Sequence, residues 1–260
     1  MNRSVLNNAL TEKFMSLAKA VVIGVGAEDG LGAALSRCYS ANGRHVLVAG
    51  RTLAKVEQVA ASIRRAGGSA TAYAVDATRE NEVIKLFDAA MTRDDLGGPA
   101  DLVTYNVGIN QKIDFLRTEA STFEDFWRVN TLGGFLVGRE AARRLVPLGR
   151  GSIFFTGATG SLRGMPGFAH FAASKAGLRM ISQSMAREFG PQGIHVAHVI
   201  VDGAIDGDRV RSLFPGVMEQ LGENGALNTQ AIAATYWQLH LQHPSAWTQE
   251  LDVRPFKEKF

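Results

Sequence analysis

Lys175 is the residue of this sequence best placed to do chemistry, because of what precedes it. An apolar run at residues 152–156 has the length and bulk of a buried strand. A loop punctuated by Gly157, Gly160, Gly164 and Gly167 follows, and a helical pattern over residues 168–189 carries Lys175 near its start. Strands that end in small-residue loops and feed helices are where α/β proteins place reacting groups. Around this lysine few other groups can act. Thr159 and Ser161 are the hydroxyls of that loop. His170 has a suitable pKa, but its place one residue before Phe171 turns it about 100° away on a helix. Asp202 is either a carboxylate at the site or a turn cap.

A second constellation lies near the amino terminus, in Gly24-Val25-Gly26-Ala27-Glu28-Asp29-Gly30-Leu31-Gly32. Glycines between a strand and a helix let the backbone approach a pyrophosphate at the positive end of that helix. Asp29 stands where the common G-x-G-x-x-G pattern needs its third glycine, whereas Gly26, Gly30 and Gly32 fit G-x-x-x-G-x-G. Gly26, Asp29, Gly30, Leu31 and Gly32 are therefore the candidate phosphate-side residues of a dinucleotide site. At the end of the second strand the chain has Gly50-Arg51 and no acid before Glu57. An arginine there suits the 2′-phosphate of NADP, where NAD binding would call for a carboxylate; the alternative for Arg51 is a solvated helix start.

The elements that must position these residues alternate regularly. Strands are expected at residues 20–25, 45–49, 70–75, 102–105, 152–156, 195–200 and 248–253. Helices are expected at 30–41, 52–66, 79–92, 168–189 and 229–241, with an irregular stretch holding one helical piece before Asn228. Ser121 and Glu124 read as a capping box that opens a long helix to about Val146. Such alternation predicts one α/β domain, a doubly wound, mostly parallel seven-stranded sheet with helices on both faces. The domain is expected over residues 18–255, between an extension at 1–17 and a tail at 256–260.

Composition narrows the classes further. A net charge of +3 with interspersed signs gives no argument for nucleic acid. The single cysteine, Cys38, cannot form an intramolecular disulfide, and no apolar window of about 20 residues is present. A cytoplasmic protein without membrane or metal sites is the expectation.

Taken together, the glycine turn, Asp76 after the third strand, Asn106-x-Gly108 after the fourth and Ser174-Lys175 on a later helix make the chain resemble the short-chain dehydrogenase/reductase family over about residues 18–255. The resemblance implies a Rossmann domain, an NAD(P)(H) cofactor and a small-molecule substrate. It implies that Asp76 and Ala77 lie against the adenine, that Asn106 and Gly108 support the cofactor floor, and that Gly203 and Ile205 lie near the nicotinamide. Asn130 and Lys175 match two members of the family's Asn-Ser-Tyr-Lys set. It also implies a homodimer or homotetramer.

The other two members are missing. The tyrosine, four residues before the lysine, is Phe171, and the serine position, 13 residues earlier, is Ala158. Tyr39, Tyr73, Tyr105 and Tyr236 lie on other elements. Phe171 keeps a ring but has no proton to give, and a missing general acid costs about 10²–10⁴-fold in rate. Two readings follow. One is an NADP-dependent oxidoreductase using Thr159, Asp202 or a water; the other is a cofactor-binding pseudoenzyme or sensor. The tail from Trp247 is expected to cover either a neighbouring subunit or the chain's own site.

Overall fold

Alternate side chains of a strand face opposite ways, and the first strand shows what that does here. In β1 (Ala18–Ile23), Ala20 and Val22 join one apolar cluster while Val21 and Ile23 join another. A strand buried on both sides needs helices on both faces of its sheet. These observations come from a computed structural model that describes residues 18–258. The extension expected over 1–17 and the last two residues of the expected tail lie outside the described residues.

The first cluster is closed by α1 (Leu31–Ala41), α2 (Leu53–Arg65) and α9 (Thr229–His240), through Leu35, Val59 and Tyr236 among others. The second is closed by α3 (Glu80–Met91), α5 (Gly133–Leu145) and α6 (Ala169–Phe189), through Phe87, Val137 and Leu178. The remaining strands of the sheet are β2 (His45–Gly50), β3 (Ser69–Ala74), β4 (Gly98–Tyr105), β5 (Gly151–Ala158), β6 (Ile194–Val201) and β9 (Glu250–Val253). Their order is β3-β2-β1-β4-β5-β6-β9, every pairing parallel. The seven-stranded doubly wound sheet is thus as expected. Chain order reverses between β1 and β4, and the crevice at the carboxyl ends there is where such sheets bind ligands.

Two local expectations need correction. The long helix does not open at a capping box: α4 (Ala120–Trp127) starts one residue earlier, and Glu119 holds the extended cap position. Ser121 is already inside the first turn, and the Glu124 carboxylate accepts from Arg128 one turn on, at 3.2 Å. The helix is also not uniform, because residues Arg128–Leu132 widen into a π-turn before α5. The stretch expected to hold one helical piece holds two, α7 (Asp208–Leu213) and α8 (Val217–Leu221), framed by the two-residue strands β7 (Ile205–Asp206) and β8 (Leu227–Asn228).

Two histidines are built into this core as neutral groups. Burial, with Lys175 nearby, holds the His198 imidazole down to about 3; burial, with Arg44 nearby, holds His240 down to about 4. Their ordinary value is 6.5, so the unfolded chain takes up protons first as pH falls. Stability is therefore complete above about pH 6.5 and declines below it, by about 1.4 kcal/mol per pH unit for each group. Thermal unfolding should give a lower Tm at pH 5 than at pH 7, and His240→Gln should reduce that difference; an equal difference in the variant would contradict the assignment.

Candidate active site

The glycine turn sits between the end of β1 and the start of α1. Gly30 caps α1 with no side-chain hydrogen bond, so the amides of the first turn point into the crevice without a protein cap. Gly26 faces open space, and Gly32 packs against the turn so closely that a Cβ would lie 2.8 Å from Gly24 O. Leu31 is buried as the first residue of the helix. Asp29 does not face an open phosphate position alone: its Oδ2 accepts from Arg211 of α7 at 3.2 Å.

Further along the crevice, a cavity of about 390 Å³ is lined by Arg51, Ala74, Val75, Asp76, Arg79 and Glu82. Arg51 is exposed at its rim. Burial pushes the Asp76 carboxyl up, but the backbone N–H and hydroxyl of Thr78 donate to it and Arg51 and Arg79 lie near, so the net shift is downward. Asp76 N in turn donates to Glu82 at 2.7 Å. Two guanidinium groups around an open cavity at the ends of β2 and β3 suit a phosphate, and the uncapped α1 suits a pyrophosphate. Ala77 is buried in the second apolar cluster and is not part of the cavity lining. Arg79 was not singled out by the sequence; its place three residues after Asp76 was the available signal.

At the ends of β4 and β5 a cluster of polar groups surrounds Lys175. Its ammonium is buried and donates to Thr156 O at 3.0 Å and Val107 O at 3.4 Å. Burial lowers it to about 8. Gly108 makes room for it, since a Cβ there would lie 3.2 Å from Lys175 Nζ and 3.5 Å from Asn130 Oδ1. Asn106 ties this floor to the glycine turn by donating to Gly24 O at 3.3 Å. Asn130 lies in the π-turn, fully buried. It accepts from Ile109 N at 3.2 Å and donates to Ser174 Oγ at 2.9 Å, which joins the loop after β4 to α6. Local π-turns of this kind re-aim side chains at functional sites.

Phe171 is buried with its ring over Gly160 and edge-on to Phe168. His170 is turned away, as its offset predicts, and its Nε2 lies 3.0 Å from Gln111 O. Ser161 is turned inward: its Oγ accepts from Ala158 N at 3.1 Å and lies 3.0 Å from His198 Nε2. Three tyrosine hydroxyls are engaged elsewhere, Tyr39 with Thr104, Tyr105 with Val129 O and Tyr236 with Thr156. Thr159 is half-buried at the end of β5 and donates to Asp202, which is fully buried at the end of β6. Asp202 therefore caps no helix; it accepts from Arg163 at 3.1 Å and pairs with Arg254 at 3.4 Å. Neither arginine was singled out from the sequence, because both lie far from Asp202 along the chain.

The tail lies over its own chain. Gly203 has φ +143°, and a Cβ there would meet Pro255 Cδ at 2.8 Å, so the tail itself requires a glycine at this position. Ile205 is half-buried in β7 and packs on the first cluster.

A family model described as short chain dehydrogenase matches residues 19–216. The short-chain dehydrogenase/reductase eriH of Hericium erinaceus is 34% identical over 182 residues, spanning 68% of this chain and 71% of its own. The crystal structure of a short-chain dehydrogenase from Rhodopseudomonas palustris is 38% identical, with a TM-score of 0.77 over 92% of this chain and 99% of its own. A gluconate 5-dehydrogenase from Burkholderia cenocepacia, solved with NADP and tartrate, shares the fold at 21% identity, with a TM-score of 0.77 over 93% of this chain and 96% of its own.

Asn130 is the joint between the floor and α6. Asn130→Ala would leave Ile109 N and Ser174 Oγ short of a partner, which should cost about 2–3 kcal/mol. Thermal denaturation should show Tm lower by roughly 4–12 °C. An unchanged Tm would mean that water replaces both contacts.

Proposed function

The chain belongs to the short-chain dehydrogenase family, and we propose that it is an oxidoreductase that binds NADP(H) in preference to NAD(H) and acts on a carbonyl or alcohol. The observation that carries this reading is the Lys175 ammonium, buried between two strand-end carbonyls beside Asn130 and facing the crevice that the glycine turn opens. A buried charge of this kind is costly, and groups perturbed in this way cluster at functional sites. NADP(H), when bound, supplies the hydride donor or acceptor. The protein's part is position and electrostatics. The uncapped α1 and residues 26–32 would hold the pyrophosphate, and Arg51 with Arg79 would hold the 2′-phosphate. Asp76 would meet the adenosine end, with Ala77 behind it. Lys175 would hold the ribose hydroxyls, and Gly203 and Ile205 would flank the nicotinamide end. Thr159 would lie against the reacting oxygen, with Phe171 closing the pocket behind it. Three apolar side chains on α4 and α5, Phe123, Trp127 and Phe135, are exposed and support assembly as a homodimer or homotetramer. No helix among the described residues is long and apolar enough to cross a membrane, which supports a cytoplasmic enzyme acting on a small molecule.

Phe171 and Ala158 favour a second reading, an NADP(H)-binding pseudoenzyme or sensor, because neither can hold or protonate a substrate oxygen. The two readings share the cofactor site and part on turnover.

The cofactor assignment is tested by fluorescence titration. NADPH should bind at submillimolar concentration, and Arg51→Ala should weaken NADPH at least tenfold more than NADH. Equal losses would remove the 2′-phosphate assignment. Turnover is tested with stereospecifically deuterated NADPH and a panel of aldehydes, ketones and the matching alcohols. Transfer of label to product supports the oxidoreductase. No transfer, even after Phe171→Tyr with Ala158→Ser, supports the sensor.

A further inference from the structure

The hydrogen bond between Thr159 and Asp202 has a direction, and that direction decides which kind of oxygen the site can hold. Thr159 Oγ1 donates to Asp202 Oδ1. The other carboxylate oxygen, Oδ2, accepts from Arg163 Nη2 at 3.1 Å and lies 3.4 Å from Arg254 Nη2. Guanidinium groups only donate, and a carboxylate only accepts. The two arginines thus keep Asp202 an acceptor from one side, and the Thr159 proton answers it from the other. A hydroxyl has a single proton. With that proton spent inward, the oxygen of the half-buried Thr159 offers lone pairs to whatever enters from the crevice. A carbonyl oxygen finds no proton on Thr159. An alcohol O–H finds an acceptor.

Resting on the oxidoreductase reading for the place of the ligand, we propose that Asp202 is a positioning residue that fixes Thr159 as a hydrogen-bond acceptor, so that the site selects a hydroxyl-bearing ligand over the corresponding carbonyl compound. Ala158 strengthens the selection, because the strand end offers no other hydroxyl that could rotate to donate; Ser161 already faces Ala158 N and His198. The tail belongs to the device, since Arg254 reaches Asp202 from the end of β9.

The selection can be read without turnover. Calorimetric titrations would use cyclohexanol on the NADPH-bound protein and cyclohexanone on the NADP⁺-bound protein, two pairs that cannot react. The wild type should bind the alcohol on the order of tenfold more tightly, the size of one well-made hydrogen bond. Thr159→Ser should keep that ratio and Thr159→Val should abolish it. Asp202→Asn should invert it, because the amide oxygen turns to the arginines and the NH₂ turns to Thr159, whose proton is then released toward the ligand. If Asp202→Asn does not fold, the Thr159→Val and Thr159→Ser pair decides, since neither disturbs the arginine pairs. Equal affinities in the wild type, binding of neither ring, or a ratio that Thr159→Val leaves in place would overturn the proposal. Absence of label transfer by the wild type would remove the oxidoreductase reading, yet the binding ratio would still be measurable.

Discussion

A lysine ammonium taken out of water inside an α/β protein is the constraint around which the pocket is arranged. An unpaired buried charge costs several kcal/mol, and no carboxylate among the described residues forms an ion pair with this one. Instead Lys175 reaches Thr156 O and Val107 O, which lie where β5 and β4 run out. The parallel sheet makes those carbonyls available together, because adjacent strands end at the same edge. Gly108 removes the one side chain that would displace the ammonium. Asn130 then fixes the loop carrying Gly108 and Ile109 to α6, the helix that carries Lys175 itself. The lysine, the floor and the helix are one connected unit, which holds the ammonium in place before any ligand arrives.

Beside that unit, the ends of β5 and β6 carry a second set of buried polar groups. Phe171 closes over Gly160 as packing, and the tyrosine hydroxyls that lie nearest in sequence logic are used up in the core. There a fully buried carboxylate, Asp202, has one threonine and two arginines around it. Pairing of this kind offsets the cost of burying Asp202 only when all partners are present. The tail is therefore part of the pocket, and its Pro255 seals against Gly203 where any larger residue would collide.

Most of the architecture was legible in the chain because burial on both faces leaves continuous apolar runs, and the glycine turn and strand-end residues punctuate them. Strand and helix existence followed from those runs; their edges did not. The capping box at Ser121 and Glu124 has the right letters, but Glu119 took the cap and Glu124 took Arg128 instead. The π-turn at Asn130 was hidden because its cause is contact with the loop after β4 and with α6, which no local pattern encodes. The two short helices before Asn228 are too brief for periodicity to separate from a loop.

By itself the sequence determined the doubly wound fold, the place of the crevice, the glycine turn, Arg51, the lysine, and a phenylalanine at 171 with an alanine at 158. These follow from side-chain type and short spacing, which act locally. Only the tertiary structure decided what Asp202 does. Asp202 follows β6, its partners Thr159 and Arg163 lie in the stretch after β5, and Arg254 follows β9. Hydrogen-bond direction depends on which donors surround a carboxylate in space, and the fold alone brings those three segments to one point.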